Sequence, residues 1–374
     1  MTLQSQVQAA LDDLIASGRE TGLQVVVYRH GKLIVDAWAG LADRASGRLV
    51  DGDTLFCGFS ASKGLTSTLV HALVERDLLS YDAPIAQYWP AFAANGKARI
   101  TLRQVLTHSA GIPHLPPDTL PAHLADWAHL CAWVEQATPL WEPGSATGYH
   151  ALTWGWILGE LVQRVTGQSF AQVMHDLIIQ PLGLQGQIFF GDNPYFGSFT
   201  QAQTRIAALE NDPPPKMKLK PDALIFRATP LSLFPLSKTH NRADVQRACL
   251  PASGGLMTAR ALAKHYAALI GTGVDEVRLL SERTMAQALA LQTDTNDLVL
   301  NLPYRKALGY YLGTPQSEMS ATPSTFGHPG AGGTLSWADP QQGLAFALCK
   351  TRLTYATPGQ TAADVLERVV RQEA

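Results

Sequence analysis

Ser60 and Lys63 stand three residues apart in Phe56-Cys57-Gly58-Phe59-Ser60-Ala61-Ser62-Lys63-Gly64, where a loop turns into an amphipathic helix carrying Leu65, Leu69 and Leu73. Positions three apart on a helix are neighbours on one face, so the amine can lie beside the hydroxyl. An amine so placed can take or relay the hydroxyl proton and turn the oxygen into a nucleophile. That requires Lys63 to be neutral, and both burial and the positive end of the helix push an ammonium pKa down. The same helix end favours an oxyanion developing at Ser60. Ser-x-x-Lys also occurs often by chance, and the bland alternative is an N-capping Ser60 followed by a solvated Lys63.

Two further segments add weight. Glu142-Pro143-Gly144-Ser145-Ala146-Thr147-Gly148-Tyr149 runs straight into a helical pattern with Leu152, Trp156, Leu158 and Val162 on one face, which puts Tyr149 at a loop-to-helix junction. Phe326-Gly327-His328-Pro329-Gly330-Ala331-Gly332-Gly333 precedes a strand pattern, and its glycines let backbone come close to a ligand.

At these three places the chain resembles the serine β-lactamase, penicillin-binding protein and family VIII carboxylesterase group. The resemblance covers nearly the whole length and extends to TLRQVLTHSAGIP from Thr101 to Pro113 and PASGGLMTAR from Pro251 to Arg260. It implies that Ser60 is the acylated nucleophile, that Lys63 and Tyr149 act jointly in proton transfer, and that the backbone N–H groups of Ser60 and Ala331 form an oxyanion hole. His328 and Gly330 are expected to bind substrate. His150 and Trp154 are expected there too, the alternatives being a helix-start residue and a core tryptophan. No metal or organic cofactor is implied.

The departures from the group's pattern are informative. Members that act on β-lactams carry Y-x-N and K-T-G, whereas Tyr149-His150-Ala151 lacks the Asn and His328-Pro329-Gly330 lacks the Lys. A lysine would offer a substrate carboxylate a permanent cation, while a histidine is largely neutral at pH 7. Both segments look like the esterase branch. The expected activity is therefore hydrolysis of short-chain carboxylic esters through a Ser60 acyl-enzyme, with a small-molecule ester as partner. The rivals are a β-lactamase, a D-amino-acid peptidase or an acyltransferase of the same fold, and a binding protein without turnover.

Other chemistry is weaker. Thr107-His108-Ser109-Ala110-Gly111 is one residue from the G-x-S-x-G elbow of lipases, but it ends a helical segment and follows no strand. His71, His108, His114, His123 and His129 lack metal-ligand spacing.

The elements that must hold these segments together can be sketched from periodicity. Met1 to Gly18 has Leu3, Val7, Leu11 and Leu14 at helical spacing, followed by β-rich runs at Leu23 to Tyr28 and Lys32 to Trp38 around an Arg29-His30-Gly31 turn. Ser324 to His328, Thr334 to Ala338 and Gly343 to Cys349 read as strands, and about Thr361 to Arg371 as a last helix. Helical patterns fill the middle at Ser60 to Leu78, Thr101 to His108, Leu124 to Gln136, His150 to Thr166, Ser169 to Ile179 and Ala259 to Gly271. Strands at both ends with helices between imply one sheet closed by both termini around a helical insertion. This is the β-lactamase/transpeptidase-like fold, α/β plus all-α, an antiparallel sheet flanked by helices. The expected division is 1–82 with 192–374 as the α/β domain and 83–191 as the mainly helical domain. Asn193 to Arg247, rich in Pro and polar residues, reads as long loops that wall a cleft.

Composition excludes other classes. Among 374 residues, 46% are apolar and 16% charged, an ordinary globular balance. The net charge of −2 and the absence of a dense Lys/Arg run argue against a nucleic-acid partner. The longest apolar runs fall far short of the ~20 residues that span a bilayer, so no membrane partner is expected. Without a secretory signal pattern at the start, the chain is expected in the cytoplasm. Cys57, Cys131, Cys249 and Cys349 are widely spaced and read as buried small hydrophobes, with Cys57 of most interest because it lies near Ser60.

Overall fold

The chain folds from both ends onto one sheet. In this computed structural model, which describes residues 1–212, 220, 222–313, 322–354 and 359–372, Thr2 caps a helix over Leu3–Ala16 whose Val7, Leu11 and Leu14 are buried. Two long strands follow, β1 (Gly22–Arg29) and β2 (Lys32–Asp43). His30 and Gly31 join them with φ of 47° and 74°, the conformation of a hairpin turn that suits the twist of its strands.

Among the described residues seven more strands join the sheet: β3 (Arg48–Leu49), β4 (Thr293–Asn296), β5 (Pro303–Lys306), β6 (Tyr311–Leu312), β7 (Phe326–Pro329), β8 (Leu335–Asp339) and β9 (Leu344–Lys350). Their order is β3-β2-β1-β9-β8-β7-β6-β5-β4. Leu23 pairs with Lys350 and Arg29 with Leu344, so the first and last long strands lie side by side and antiparallel. Every residue from Gly22 to Tyr28 and from Leu344 to Lys350 is buried, as befits strands covered on both faces. The helix Ala259–Ala267 lies across these central strands, and the closing helix Ala362–Gln372 packs against the opening one.

Ser62–Glu75 forms the helix expected from Ser60 to Leu78, and all its residues from Ser62 to Leu73 are buried. Apart from Lys63 and His71, those residues are apolar or small, as suits a helix in the interior. It packs against the helix Thr153–Thr166. A small three-stranded sheet of Phe56–Cys57, Leu256–Met257 and Ile188–Phe189 leads into it.

Two expectations need correction. Strands β4 to β6 lie outside the expected set, because TDTN and PYRK carry no apolar alternation. The stretch Asn193 to Arg247, of which 213–219 and 221 lie outside the described residues, is not plain loop. It contains short helices such as Phe199–Gln203, Leu224–Ala228, Leu236–His240 and Ala243–Arg247, each too brief for a periodic signal. Cys57, Cys131 and Cys349 are buried, Cys249 is partly so, and all four are free thiols. Among the described residues no helix is long and apolar enough to cross a membrane.

Candidate active site

The segment that carries Ser60 is delivered by backbone pairing. Phe56 and Cys57 lie antiparallel to Met257 and Leu256, and the Gly58 N–H donates to Gly255 O at 2.8 Å. Phe59 then takes φ of +45°, rare for a residue with a side chain. Its ring rests on that of His240, 4.6 Å between centroids. This turn lifts Ser60 to the start of the buried helix, where it is half-buried.

One turn on, Lys63 is fully buried. Its Nζ lies 2.8 Å from Ala151 O, 2.9 Å from Ala252 O and 3.3 Å from Ser60 Oγ. Burial pushes its pKa well below the ordinary lysine value, and no carboxylate contributes to offset that. A neutral amine has two N–H groups and one lone pair. In that form, with the hydrogens on the two carbonyls, the lone pair faces the serine hydroxyl, whereas a charged amine donates to Ser60 Oγ. The Tyr149 hydroxyl donates to Ser60 Oγ at 2.5 Å, so two proton-exchanging groups meet on one oxygen.

Tyr149 is held from both sides. Its backbone N–H donates to Asp297 Oδ1 at 3.0 Å, and its ring lies 4.9 Å from that of His108. Gly148 N–H donates to His108 O at 2.9 Å, which anchors the loop one residue earlier.

His328 lies on β7 with its ring stacked 4.7 Å from that of Tyr311. Its Nδ1 is 2.8 Å from Pro329 O, which can only accept, so the proton sits on Nδ1. Burial, with Lys63 nearby, lowers its pKa to about 3. The imidazole is therefore neutral at pH 7. Just beyond, Gly330 approaches the loop before Ser60 so closely that a Cβ would lie 2.4 Å from Gly58 O.

A cavity of about 330 Å³ opens on Ser60, Tyr149, His328, Gly330 and Ala331. Leu152, Ile225, Phe234, Leu236, Leu300 and Leu302 supply apolar wall, and among the described residues no Lys, Arg, Asp or Glu lines it. The Asn193 to Arg247 stretch does wall this cleft, through Ile225, Thr229, Phe234, Leu236 and His240. Nothing in local sequence marks those residues, since they meet the cavity only through tertiary packing.

His150 and Trp154 do not line the cavity, contrary to expectation. His150 is fully buried with Nδ1 on Gly148 O at 2.6 Å and Nε2 accepting from Ile112 N–H at 3.0 Å, so both nitrogens serve the backbone. Trp154 is fully buried behind Lys63, whose Nζ is 5.7 Å from its ring centroid. Ser109, the rival nucleophile, shares its Oγ with Thr107 Oγ1 at 3.0 Å and Gln104 O at 3.3 Å as part of a helix end. Cys57 is inert, because burial pushes its thiol up to about 12. Among the described residues no group of three or more His, Cys, Asp or Glu is placed to hold a metal ion.

The Beta-lactamase family model matches residues 7–371. The chain is 33% identical over 370 residues to the esterase/beta-lactamase LipL of Mycobacterium tuberculosis, covering 93% of this chain and 81% of that protein. A family VIII carboxylesterase structure superposes with a TM-score of 0.88 at 28% identity, covering 100% of this chain and 98% of the other. A penicillin-binding protein homolog from Caulobacter crescentus gives the same score, identity and coverage.

Proposed function

The chain belongs to the beta-lactamase family and has its antiparallel-sheet and helix fold, and from that premise we propose that it is a carboxylesterase acting on short-chain, uncharged esters through an acyl-enzyme on Ser60. One observation carries the reading. The Tyr149 hydroxyl and the Lys63 amine both reach Ser60 Oγ at the end of a cavity that, among the described residues, no charged side chain lines.

In this reaction Ser60 Oγ attacks the ester carbonyl carbon as its proton passes to the Lys63–Tyr149 pair. The carbonyl oxygen, now anionic, accepts from the backbone N–H groups of Ser60 and Ala331. The tetrahedral adduct collapses, the alkoxide takes a proton from Tyr149, and the alcohol leaves. Water then attacks the acyl carbon with the same pair as base, releasing the acid and restoring the Ser60 hydroxyl.

The mycobacterial relative's name also mentions β-lactamase, so that activity is the second reading. A β-lactam carries a carboxylate beside its reacting ring. The position that would supply a fixed cation holds His328, an uncharged imidazole at pH 7. A neutral ester does not need that contact. The test is catalytic efficiency on p-nitrophenyl butyrate and on a chromogenic cephalosporin. The ester should be favoured, and a higher efficiency on the cephalosporin overturns the esterase reading.

A further inference from the structure

The loop that carries Tyr149 is laced to a distant turn by a buried ion pair. Asp297 is fully buried, and its Oδ1 accepts from three backbone N–H groups: Tyr149 at 3.0 Å, Val299 at 2.9 Å and Leu300 at 2.9 Å. Its Oδ2 pairs with the Nζ of Lys306, which is equally buried and also donates to Thr147 Oγ1 at 2.6 Å. Leu298 N–H donates to Thr147 O at 2.9 Å, so the segments Thr147–Tyr149 and Asp297–Leu300 are joined at both ends. Burial alone would raise the Asp297 pKa, but Lys306 and the backbone donors outweigh it and hold the group ionised.

A buried ion pair is a poor device for stability alone, because desolvating two charges offsets most of their attraction and apolar replacements often do as well. What the pair supplies here is geometry. A single carboxylate oxygen grips the backbone of the residue whose hydroxyl sits 2.5 Å from Ser60 Oγ. The same oxygen grips the turn whose Leu300 and Leu302 side chains wall the cavity.

We propose that Asp297, clamped by Lys306, is a positioning residue: it sets the Tyr149 hydroxyl against Ser60 and the Leu300–Leu302 wall against the acyl chain, so that proton transfer and chain-length selection share one support. The inference rests on the serine-hydrolase reading. Displacement of a reacting group by about 1 Å can cost about 100-fold in rate. The support should therefore be visible in kinetics.

The experiment replaces the ion pair with uncharged shapes. Asp297→Asn with Lys306→Met keeps an oxygen acceptor for the three N–H groups, whereas Asp297→Leu with Lys306→Met removes it. Rates of Ser60 labelling by a fluorophosphonate, and of p-nitrophenyl butyrate and octanoate turnover, are expressed per titrated Ser60. The Leu/Met variant should lose about 100-fold or more per titrated site and its preference between the two esters should flatten. The Asn/Met variant should lose less than about tenfold, the acceptor being what positions the tyrosine. A mere scaffold would lower the number of titratable sites and leave the rate per site unchanged, which overturns the proposal. If the Leu/Met variant does not fold, Asp297→Ala with Lys306→Met, which also removes the acceptor, decides: a folded protein with an unchanged rate per site overturns the proposal, and a loss of about 100-fold supports it. Failure of the wild type to label at Ser60 would instead sink the serine-hydrolase reading.

Discussion

The Tyr149 hydroxyl lies 2.5 Å from Ser60 Oγ, nearer than the Lys63 amine at 3.3 Å. The tyrosine hydroxyl, which donates to Oγ, is thus the nearer of the two polar groups, and its ring lies 4.9 Å from Lys63 Nζ, closing the triangle. Groups this close act as one unit, and their losses do not multiply. Tyr149→Phe and Lys63→Ala should each slow acylation by ~10²–10⁴-fold, and the double variant little more than the worse single. Single-turnover kinetics with p-nitrophenyl butyrate would measure this, and a simple product of the two losses would show that the residues act independently.

Ser60→Ala should abolish turnover with little change in stability, since it removes a half-buried hydroxyl and leaves apolar contacts alone. Intact-protein mass spectrometry after fluorophosphonate treatment should give one adduct that the variant lacks. Ser62 Oγ is committed to the Gly255 N–H at 3.0 Å and Ser109 Oγ to its helix end. An adduct mapped to either serine would refute the assignment.

The Ser60–Lys63 relation was legible because it is local: helix geometry brings positions three apart together. Tyr149 and His328 became legible only through the resemblance, as no periodicity joins residues on different elements. His150 misled because it follows Tyr149 directly, yet successive residues in this turn point to different partners, and its ring went to Gly148 O and Ile112 N–H. Asp297 and Lys306 carried no signal at all. They are nine residues apart on a turn and a strand of polar composition, and what they grip lies 148 positions away. The short helices around Phe234 and His240 were invisible for a different reason, since five residues make less than two turns of pattern.

Stability should fall early on acidification. Burial lowers His71 to about 4 and His150, His265 and His328 to about 3. The unfolded chain takes up those protons near the ordinary value of ~6.5. Below that pH the unfolded state holds more protons than the native one, so stability is full above ~6.5 and is lost as pH falls toward ~4. Each imidazole contributes up to about 1.4 kcal/mol per pH unit in that window. Thermal melts should show the midpoint dropping before carboxylates titrate, and a midpoint constant down to pH ~5 would contradict the burial of neutral histidines.

Gly330 illustrates a glycine needed for space and not for backbone conformation. Its φ of −105° suits any residue, but a Cβ would sit 2.4 Å from Gly58 O and 3.1 Å from Thr334 Cβ. Gly330→Ala must therefore separate the end of β7 from the loop two residues before Ser60. Overpacking of this kind costs about 1–3 kcal/mol. The variant should melt lower, and kcat/KM on p-nitrophenyl butyrate should drop by about tenfold or more, since misplaced reacting groups lose rate steeply. Wild-type melting and kinetics together would show that the contact yields freely.

His328→Lys tests what separates an ester site from a β-lactam site. In the wild type this position presents a neutral imidazole, with Nδ1 bound to Pro329 O and Nε2 without a hydrogen-bond partner among the described residues, near the Lys63 amine, whose pKa burial holds well below the ordinary value. A lysine there would offer the cation that a β-lactam carboxylate seeks, and one charge-assisted hydrogen bond contributes roughly 1.5–3 kcal/mol. Expressed in the transition state, that is about one to two decades in rate. The substitution also forfeits the stack on Tyr311 and puts a second buried amine near Lys63, so ester turnover should decline. The quantity to measure is therefore the ratio of catalytic efficiencies, cephalosporin over p-nitrophenyl butyrate, in variant and wild type. It should rise by about tenfold or more, and an unchanged ratio would mean that the charge at this position does not decide between the two substrates.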